Sequence, residues 1–151
     1  MTKVNDWTLL FHPMIIEQLL KLDQAAQKAL PANPGNANVK LFKMVSKLIY
    51  ETIPLNPAAR EFRQGTTLGE SYKHWRRAKF GGRRFRLFFR YDSTRKIIAF
   101  AWVNDNNTKR KAGSKNDPYA VFQGMLDRGN PPDDFSDLIK SCKPDWRKKQ
   151  D

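Results

Sequence analysis

The chain has 151 residues, enough for one domain with a hydrophobic core and too few for two. Its 28 basic and 15 acidic residues give a formal net charge of +13, which favours an anionic partner such as nucleic acid. No apolar run approaches the ~20 residues of a membrane span, the N-terminus lacks a signal-peptide pattern, and a single cysteine excludes an internal disulfide and a cysteine-rich metal site. These features predict a cytoplasmic protein.

The first third of the chain predicts one strand and two helices. Residues 7–11 (WTLLF) are a short apolar run typical of a buried strand. His12 and Pro13 then begin a helix whose apolar residues recur at helical spacing to Leu30, and a second amphipathic helix follows at about 38–52. We interpret both helices as the layer that covers the apolar side of a sheet, and His12 as a structural residue at the helix start.

The rest of the chain predicts a hairpin, a central strand and two more helices. Residues 53–72 form a long connection to which the sequence assigns no function. Residues 97–103 (IIAFAWV) are apolar on both faces, as in a central strand. After a loop at 104–117, Asp117 is expected to cap a helix that ends at Gly129, and Asp133 or Asp134 to cap a last helix reaching Cys142. The basic tail, 143–151, is expected to fray.

The predicted hairpin is the most informative stretch, with a two-residue turn at Gly81-Gly82. Side chains alternate across a strand, so the two strands present one cationic and one apolar face. The cationic face carries Arg77, Lys79, Arg84, Arg86 and Arg90, together with Phe88. The apolar face carries Ala78, Phe80, Phe85, Leu87, Phe89 and Tyr91. A solvated face is the simplest alternative, but five cations without a carboxylate favour binding of a phosphate polymer.

Short motifs along the chain resemble those of one known family. They are NDW at 5–7, EFRQG at 61–65, W-x-R-x-K-F-G at 75–81, RFRLFFRY at 84–91, W-x-N-D-x-N-T-x-R at 102–110, D-x-Y-x-V-F at 117–122 and G-x-P-P at 129–132. In combination they are similar to the YhaV-type toxins of bacterial type II toxin–antitoxin systems, a branch of the RelE-like ribonucleases. Similarity to RelE itself is narrower and covers residues 85–87 and the loop after the central strand.

This resemblance implies an α+β, RelE-like fold: a small curved antiparallel or mixed sheet, two N-terminal helices on one face, and further C-terminal helices. It implies one domain over 1–151 that cleaves messenger RNA, in association with the ribosome, and so inhibits translation and growth. It also implies neutralisation by a PrlF-like antitoxin of the AbrB type in a hetero-oligomer, with no membrane partner.

Metal-free RNA cleavage uses the substrate's 2′-hydroxyl as the nucleophile and leaves a 2′,3′-cyclic phosphate and a 5′-hydroxyl. It needs a base, positive charge around the phosphorane and a proton donor, but no cofactor or metal. Arg84 and Arg86 are the candidates to clamp the phosphate, with a flanking phosphate contact as the alternative for Arg84. Lys79 lies among cations that should lower its pKa and free a neutral amine, and Arg77 adds charge.

The family suggests further residues. Arg86 corresponds to the arginine of the RelE-like strand, Arg110 to the loop arginine, and Tyr119 to a tyrosine that shares protons or stacks on a base. The alternative for Tyr119 is a core aromatic at a helix start. His74 is interpreted as a surface or capping residue and Asp105 as a loop cap. The remaining basic and polar residues around the site are expected to contact RNA: Arg76, Arg83, Arg90, Asn104, Thr108, Lys109, Lys111 and Lys115.

Two other functions remain compatible with a cationic surface. One is a non-catalytic binder of ribosomal RNA that blocks translation by occupancy. The other is a DNA-binding module, which is disfavoured because the chain lacks a basic recognition helix. Only the nuclease requires Lys79, Arg86 and Tyr119 to converge around one phosphate.

Overall fold

The computed structural model describes residues 2–104 and 117–147 and is organised around a five-stranded mixed sheet. The strands are β1 (Lys3–Val4), β2 (Trp7–Phe11), β3 (Arg76–Phe80), β4 (Phe85–Asp92) and β5 (Ile97–Val103). Their order is β1-β2-β5-β4-β3, with β2 and β5 parallel and the other neighbours antiparallel. The predicted strands at 7–11 and 97–103 are confirmed, and β5 is central as expected.

The predicted helices are also confirmed. They are α1 (Pro13–Ala29), α2 (Ala37–Lys47), a wider π-helical turn (Leu48–Thr52) that leads into α3 (Ile53–Leu55), α4 (Pro118–Asp127) and α5 (Phe135–Ser141). Two 3₁₀ turns, Arg60–Phe62 and Glu70–Tyr72, interrupt the long connection. None of the described helices is long and apolar enough to cross a membrane.

Side chains cap the helix starts at the residues that the sequence predicted. The Nδ1 atom of His12 accepts the N–H of Met14 at 3.1 Å, and burial lowers the pKa of this imidazole. Asp117 caps α4, and Asp134, the second of the two candidate residues, caps α5. The structural interpretation of His12 is therefore confirmed, because a neutral ring nitrogen can satisfy the first turn of α1.

Both faces of the sheet are buried, so the predicted open cationic face is wrong. One face packs on α1 and α2 through Leu9, Phe89 and Phe100, with the second face packing on α4 and α5. On that second face Phe88 stacks on Phe122, with ring centroids 4.3 Å apart. Phe88 lies on the same face as Arg86, and an aromatic ring at that position needs cover from water. Helix α4 provides the cover, so that Lys79 and Arg86 lie at the turn end of the face and Arg90 lies beyond Phe88 toward the other end.

The predicted two-residue hairpin turn is also wrong. Phe80 pairs with Phe85, which leaves four residues, 81–84, in the turn. Three of them, Gly81, Gly82 and Arg83, have φ between 60° and 67°. That left-handed run lengthens the turn. As a consequence Arg84 belongs to the exposed turn and not to the strand that carries Arg86.

The expectation that the whole basic tail frays is wrong for residues 143–147. Lys143 forms a backbone bridge with Phe11 at the sheet, and Trp146 is 1% exposed. The Trp146 indole N–H donates to the hydroxyl of Tyr50 at 2.8 Å, and its ring meets the edge of Phe42. An indole is a large apolar surface with one donor, and this pocket satisfies both needs. Residues 148–151 lie outside the described part of the chain.

We therefore expect the tail to contribute strongly to stability. Trp146→Ala should lower the free energy of unfolding in urea by about 3–5 kcal/mol because it removes a fully buried aromatic ring. Trp146→Phe should cost less, since it keeps most of the packing and loses the bond to Tyr50. Leu55→Ala is the matched control: Leu55 is 73% exposed, and its loss should change stability by no more than about 0.5 kcal/mol. Equal stabilities for Trp146→Ala and Leu55→Ala would show that the tail is not docked.

Candidate active site

The hydroxyl of Tyr119 is the meeting point of three elements. It accepts a hydrogen bond from Nε of Arg77 on β3 at 2.8 Å and another from Nε of Arg86 on β4 at 3.0 Å. Tyr119 lies in the first turn of α4, where the carboxylate of Asp117 accepts its backbone N–H at 3.0 Å. The Tyr119 ring also meets Phe88 edge-on. The cap and the ring contact together fix the direction in which the phenol points.

Arg86 is a buried cation, 4% exposed. Its Nη1 donates to the carbonyl of Arg83 at 2.8 Å, and its guanidinium lies over the ring of Tyr119 at 5.3 Å. Its backbone N–H donates to Oδ1 of Asn104 at 2.6 Å. Burial of a charge is costly unless hydrogen bonds hold it, and here the Arg83 carbonyl in the turn and the phenol of Tyr119 accept from the guanidinium.

Arg77 connects the site to the long connection that the sequence left without a function. Its Nη1 donates to the carbonyl of Glu61 at 2.8 Å. Two residues later Arg63 forms an antiparallel bridge with Arg76, so this segment extends the sheet beyond β3. This segment carries the EFRQG motif, but the acceptor is a backbone carbonyl, which any residue type offers, so the sequence did not reveal the contact.

Lys79 stands directly opposite Arg86 in the β3–β4 register and is exposed. Its pKa is lowered from the ordinary lysine value, chiefly by the charge of Arg77, with smaller effects of burial and of Arg86 and Arg83. The direction agrees with the expectation for an ammonium among cations. A lysine in such a field carries its neutral amine at lower pH than a free lysine does.

Two opposing effects act on the pKa of Tyr119. Burial raises it, but the hydrogen bonds and charges of Arg77 and Arg86 outweigh burial, and the net pKa is lower than the usual 10.0. Cations that donate to an oxygen favour its ionised form. The phenol is therefore a better acid than a free tyrosine, and it lies beside a lysine whose amine is neutral at lower pH than that of a free lysine.

The structure thus brings together four of the predicted catalytic residues: Arg77, Lys79, Arg86 and Tyr119. It places Arg84 differently. Arg84 is exposed in the turn, and its carbonyl accepts a bond from Nδ2 of Asn104 at 3.0 Å. Arg110 lies outside the described residues.

The residues predicted to contact RNA fall into separate places. Arg83 is exposed in the turn beside the cluster. Arg90 donates to the carbonyl of Asp133 and lies over the rings of Trp75 and Phe135. Burial lowers the pKa of Arg90. Its side chain is therefore engaged inside the protein, away from the turn.

Arg76 and Asn104 are engaged within the protein as well. By alternation Arg76 shares a face with Ala78, opposite to Arg77, and its guanidinium lies over Tyr91 at 5.6 Å. Asn104 is 2% exposed and bonds to the backbone of β4 and the turn. Thr108, Lys109, Lys111 and Lys115, together with Asp105, lie outside the described residues.

His74 forms a surface pair away from the cluster. Its Nε2 is 2.6 Å from Oδ1 of Asp133, which also accepts the indole N–H of Trp75 at 2.9 Å. Within 2–104 and 117–147, no group of three or more histidine, cysteine, aspartate or glutamate side chains could hold a metal ion. The described cluster offers arginine, lysine and tyrosine chemistry.

Comparison with known proteins gives a consistent result. A family model described as "toxin with endonuclease activity, of toxin-antitoxin system" (Toxin_YhaV) matches residues 9–143. The "Ribonuclease toxin YhaV" of Escherichia coli strain K12 is 42% identical over 146 residues, covering 93% of this chain and 95% of the relative. A "Toxin YhaV" of Escherichia coli O6:H1 is 43% identical over the same coverage. No solved structure matches.

The Tyr119 cluster can be tested by titrating tyrosinate absorbance. The difference between the parent protein and Tyr119→Phe isolates the phenol, which should ionise below the usual 10.0 and well before Tyr72, whose hydrogen bond to Asp127 raises its pKa to about 12. Arg77→Met removes the hydrogen bond that lowers the pKa of Tyr119 most, so that pKa should rise in this variant. Arg95→Met, an exposed arginine paired with Asp92, is the control and should leave it unchanged. A midpoint at or above 10 in the parent protein would contradict the described cluster.

Proposed function

The chain belongs to the YhaV family of toxins with endonuclease activity from toxin–antitoxin systems, and we propose that it cleaves RNA by attack of the substrate's own 2′-hydroxyl. The observation that carries the proposal is the Tyr119 hydroxyl held between two guanidinium groups beside Lys79. A relative named a ribonuclease toxin supports RNA as the substrate. The net charge of +13 supports a polyanion.

In the proposed reaction Lys79 accepts the proton of the 2′-hydroxyl. The oxygen attacks the adjacent phosphorus, and the bond to the 5′-oxygen breaks. The products are a 2′,3′-cyclic phosphate and a 5′-hydroxyl. Tyr119, made more acidic by its two arginines, gives its proton to the departing 5′-oxygen. A lowered lysine pKa and a lowered tyrosine pKa both bring these transfers closer to neutral pH.

The arginines act as electrostatic stabilisers, because a guanidinium does not lose its proton at neutral pH. Their described hydrogen bonds use Nε and Nη1 of Arg77 and Arg86, so Nη2 of each is the group that we assign to a phosphate oxygen. Arg110 is proposed to approach the phosphate from the loop after β5. Arg83 and Arg84, in the exposed turn, are proposed to hold flanking phosphates, as are Lys109, Lys111 and Lys115, with Thr108 as a polar contact.

We also propose a substrate, a protein partner, a fold family and a cellular location for this activity. The substrate is messenger RNA on the ribosome, and cleavage inhibits translation and growth. The antitoxin is a PrlF-like protein of the AbrB type that binds the toxin in a hetero-oligomer. The fold is RelE-like and forms one domain over 1–151, and the protein acts in the cytoplasm. A family of toxins from toxin–antitoxin systems supports the existence of an antitoxin partner.

The chemistry makes a direct prediction about products. The purified chain should cleave RNA in the presence of EDTA and leave a 2′,3′-cyclic phosphate and a 5′-hydroxyl, as mapped by end-labelling. A single 2′-deoxy substitution at the cut position should abolish that cut and leave neighbouring cuts unchanged, because it removes the nucleophile. Tight binding of intact RNA without breakage would instead favour inhibition by occupancy.

The proposed roles predict different kinetic signatures. Lys79→Met and Tyr119→Phe should lower the single-turnover rate at saturating RNA by about 10²–10⁴-fold, the usual range for a lost proton-transfer group, with little change in RNA affinity. Arg84→Met should do the reverse, because an exposed phosphate contact contributes to binding and its salt dependence. Arg95→Met is the control for loss of one positive charge. Parallel losses of rate and affinity in all three variants would contradict the assignment.

A further inference from the structure

The end of β5 is completed by a side chain and not by a strand. Pairing with β2 stops at the Phe11–Phe100 pair, three residues before β5 ends at Val103. There the amide of Gln18, from α1, bonds to both backbone groups of Val103. Its Nε2 donates to the Val103 carbonyl at 2.5 Å, and its Oε1 accepts the Val103 N–H at 3.1 Å. The glutamine side chain thus occupies the place of the missing strand neighbour.

Asn104, the next residue, forms similar side-chain hydrogen bonds on the other side of β5. Ladder pairing with β4 reaches Leu87–Val103. Beyond that pair, the Asn104 side chain accepts the N–H of Arg86 through Oδ1 at 2.6 Å and donates to the carbonyl of Arg84 through Nδ2 at 3.0 Å. Side-chain amides therefore fix the end of β5 on both sides: Gln18 ties Val103 to α1, and Asn104, the residue after the strand, ties it to β4 and the hairpin turn.

These bonds act on a catalytic group. Asn104 holds the backbone of Arg86, and the carbonyl of Arg83 accepts from its guanidinium. Arg83 lies in the hairpin turn, 81–84, to which Asn104 also bonds. Gly81 and Gly82 adopt positive φ without cost, but Arg83 also has a positive φ of 67°, a conformation that is strained for a residue with a side chain. A displacement of Arg86 by about 1 Å can cost about 100-fold in rate at a reacting centre.

We propose that Gln18 and Asn104 are positioning residues that hold Arg86 against Tyr119. The proposal rests on the proposed function, because it assigns Arg86 a place at the scissile phosphate. Each position requires a group that both donates and accepts, which an amide does and a carboxylate or a hydrocarbon does not. Neither residue needs to touch RNA: Asn104 acts on Arg86 directly, and Gln18 acts through Val103.

The test compares graded variants of both residues in the full-length chain. Asn104→Leu removes both bonds, and Asn104→Asp keeps the acceptor for Arg86 and loses the donor to Arg84. Gln18→Met and Gln18→Glu form the corresponding pair. Gln27→Met is the matched control, because Gln27 lies on the same helix and its amide donates only to the exposed carboxylate of Asp23, at 3.1 Å, among the described residues. For each variant we would measure single-turnover cleavage, RNA affinity, urea stability and the tyrosinate titration.

We expect Asn104→Leu to lower the chemical step by about 100-fold at saturating RNA, with a smaller loss of affinity. The pKa of Tyr119 should rise in the same variant, because Arg86 no longer holds the phenolate. Asn104→Asp should lower the rate of the chemical step by an intermediate factor. Gln18→Met and Gln18→Glu should each lower that rate by about tenfold, and Gln27→Met should leave it unchanged.

The inference would be overturned by a rate loss that follows only the unfolded fraction in urea, by equal losses of rate and affinity, or by an unchanged Tyr119 titration in Asn104→Leu. If Asn104→Leu does not fold, Asn104→Asp and Gln18→Glu decide the matter by the same readouts. A parent protein that cuts RNA while Asn104→Leu cuts it equally well defeats this inference alone. A parent protein that does not cut RNA defeats the proposed function instead.

Discussion

The rest of the site depends on one shared acceptor, the hydroxyl of Tyr119. Arg77 and Arg86 lie on adjacent antiparallel strands, and both donate to this oxygen at 2.8 and 3.0 Å. Two guanidinium groups that bond to one oxygen are close enough to repel each other, and the polarised phenol is the described group between them. Within 2–104 and 117–147 the hydrogen bonds of the cluster bring no carboxylate to the two guanidinium groups, which is consistent with the proposal that they bind a phosphate. Binding of the substrate and lowering of the Tyr119 pKa have the same electrostatic origin.

The second layer of helices converts a cationic sheet face into a localised site. Phe88 requires burial, and α4 covers it through Phe122. Asp117 caps the start of the same helix, and the first turn of the helix places Tyr119 against the two arginines. The packing of Phe88 and the placement of Tyr119, the proposed proton donor, are thus two consequences of one docked helix. Arg90, on strand β4 like Phe88, packs on the rings of Trp75 and Phe135 at the other end of that face.

Much of this could be predicted from local sequence. Periodicity and capping residues gave the strands and helices, and alternation along β3 and β4 placed Lys79 and Arg86 on one face, as the register shows. The turn length could not be predicted, because it depends on a positive φ at Arg83. Arginine has no particular preference for that conformation, so the residue type gives no signal. The docking of Trp146 on Tyr50 and the bond from Gln18 to Val103 join residues 96 and 85 positions apart. Such contacts leave no local pattern, and the fold alone reveals them.

The central claim is that Lys79 and Tyr119 act on the same phosphate within one arginine cluster. A double-mutant cycle on the single-turnover rate of RNA cleavage tests it most directly, using Lys79→Met, Tyr119→Phe and the double variant. Groups that serve one transition state are strongly non-additive, so the double variant should be little slower than the slower single variant. Losses that simply multiply, or single variants that cleave at the parent rate, would contradict the account.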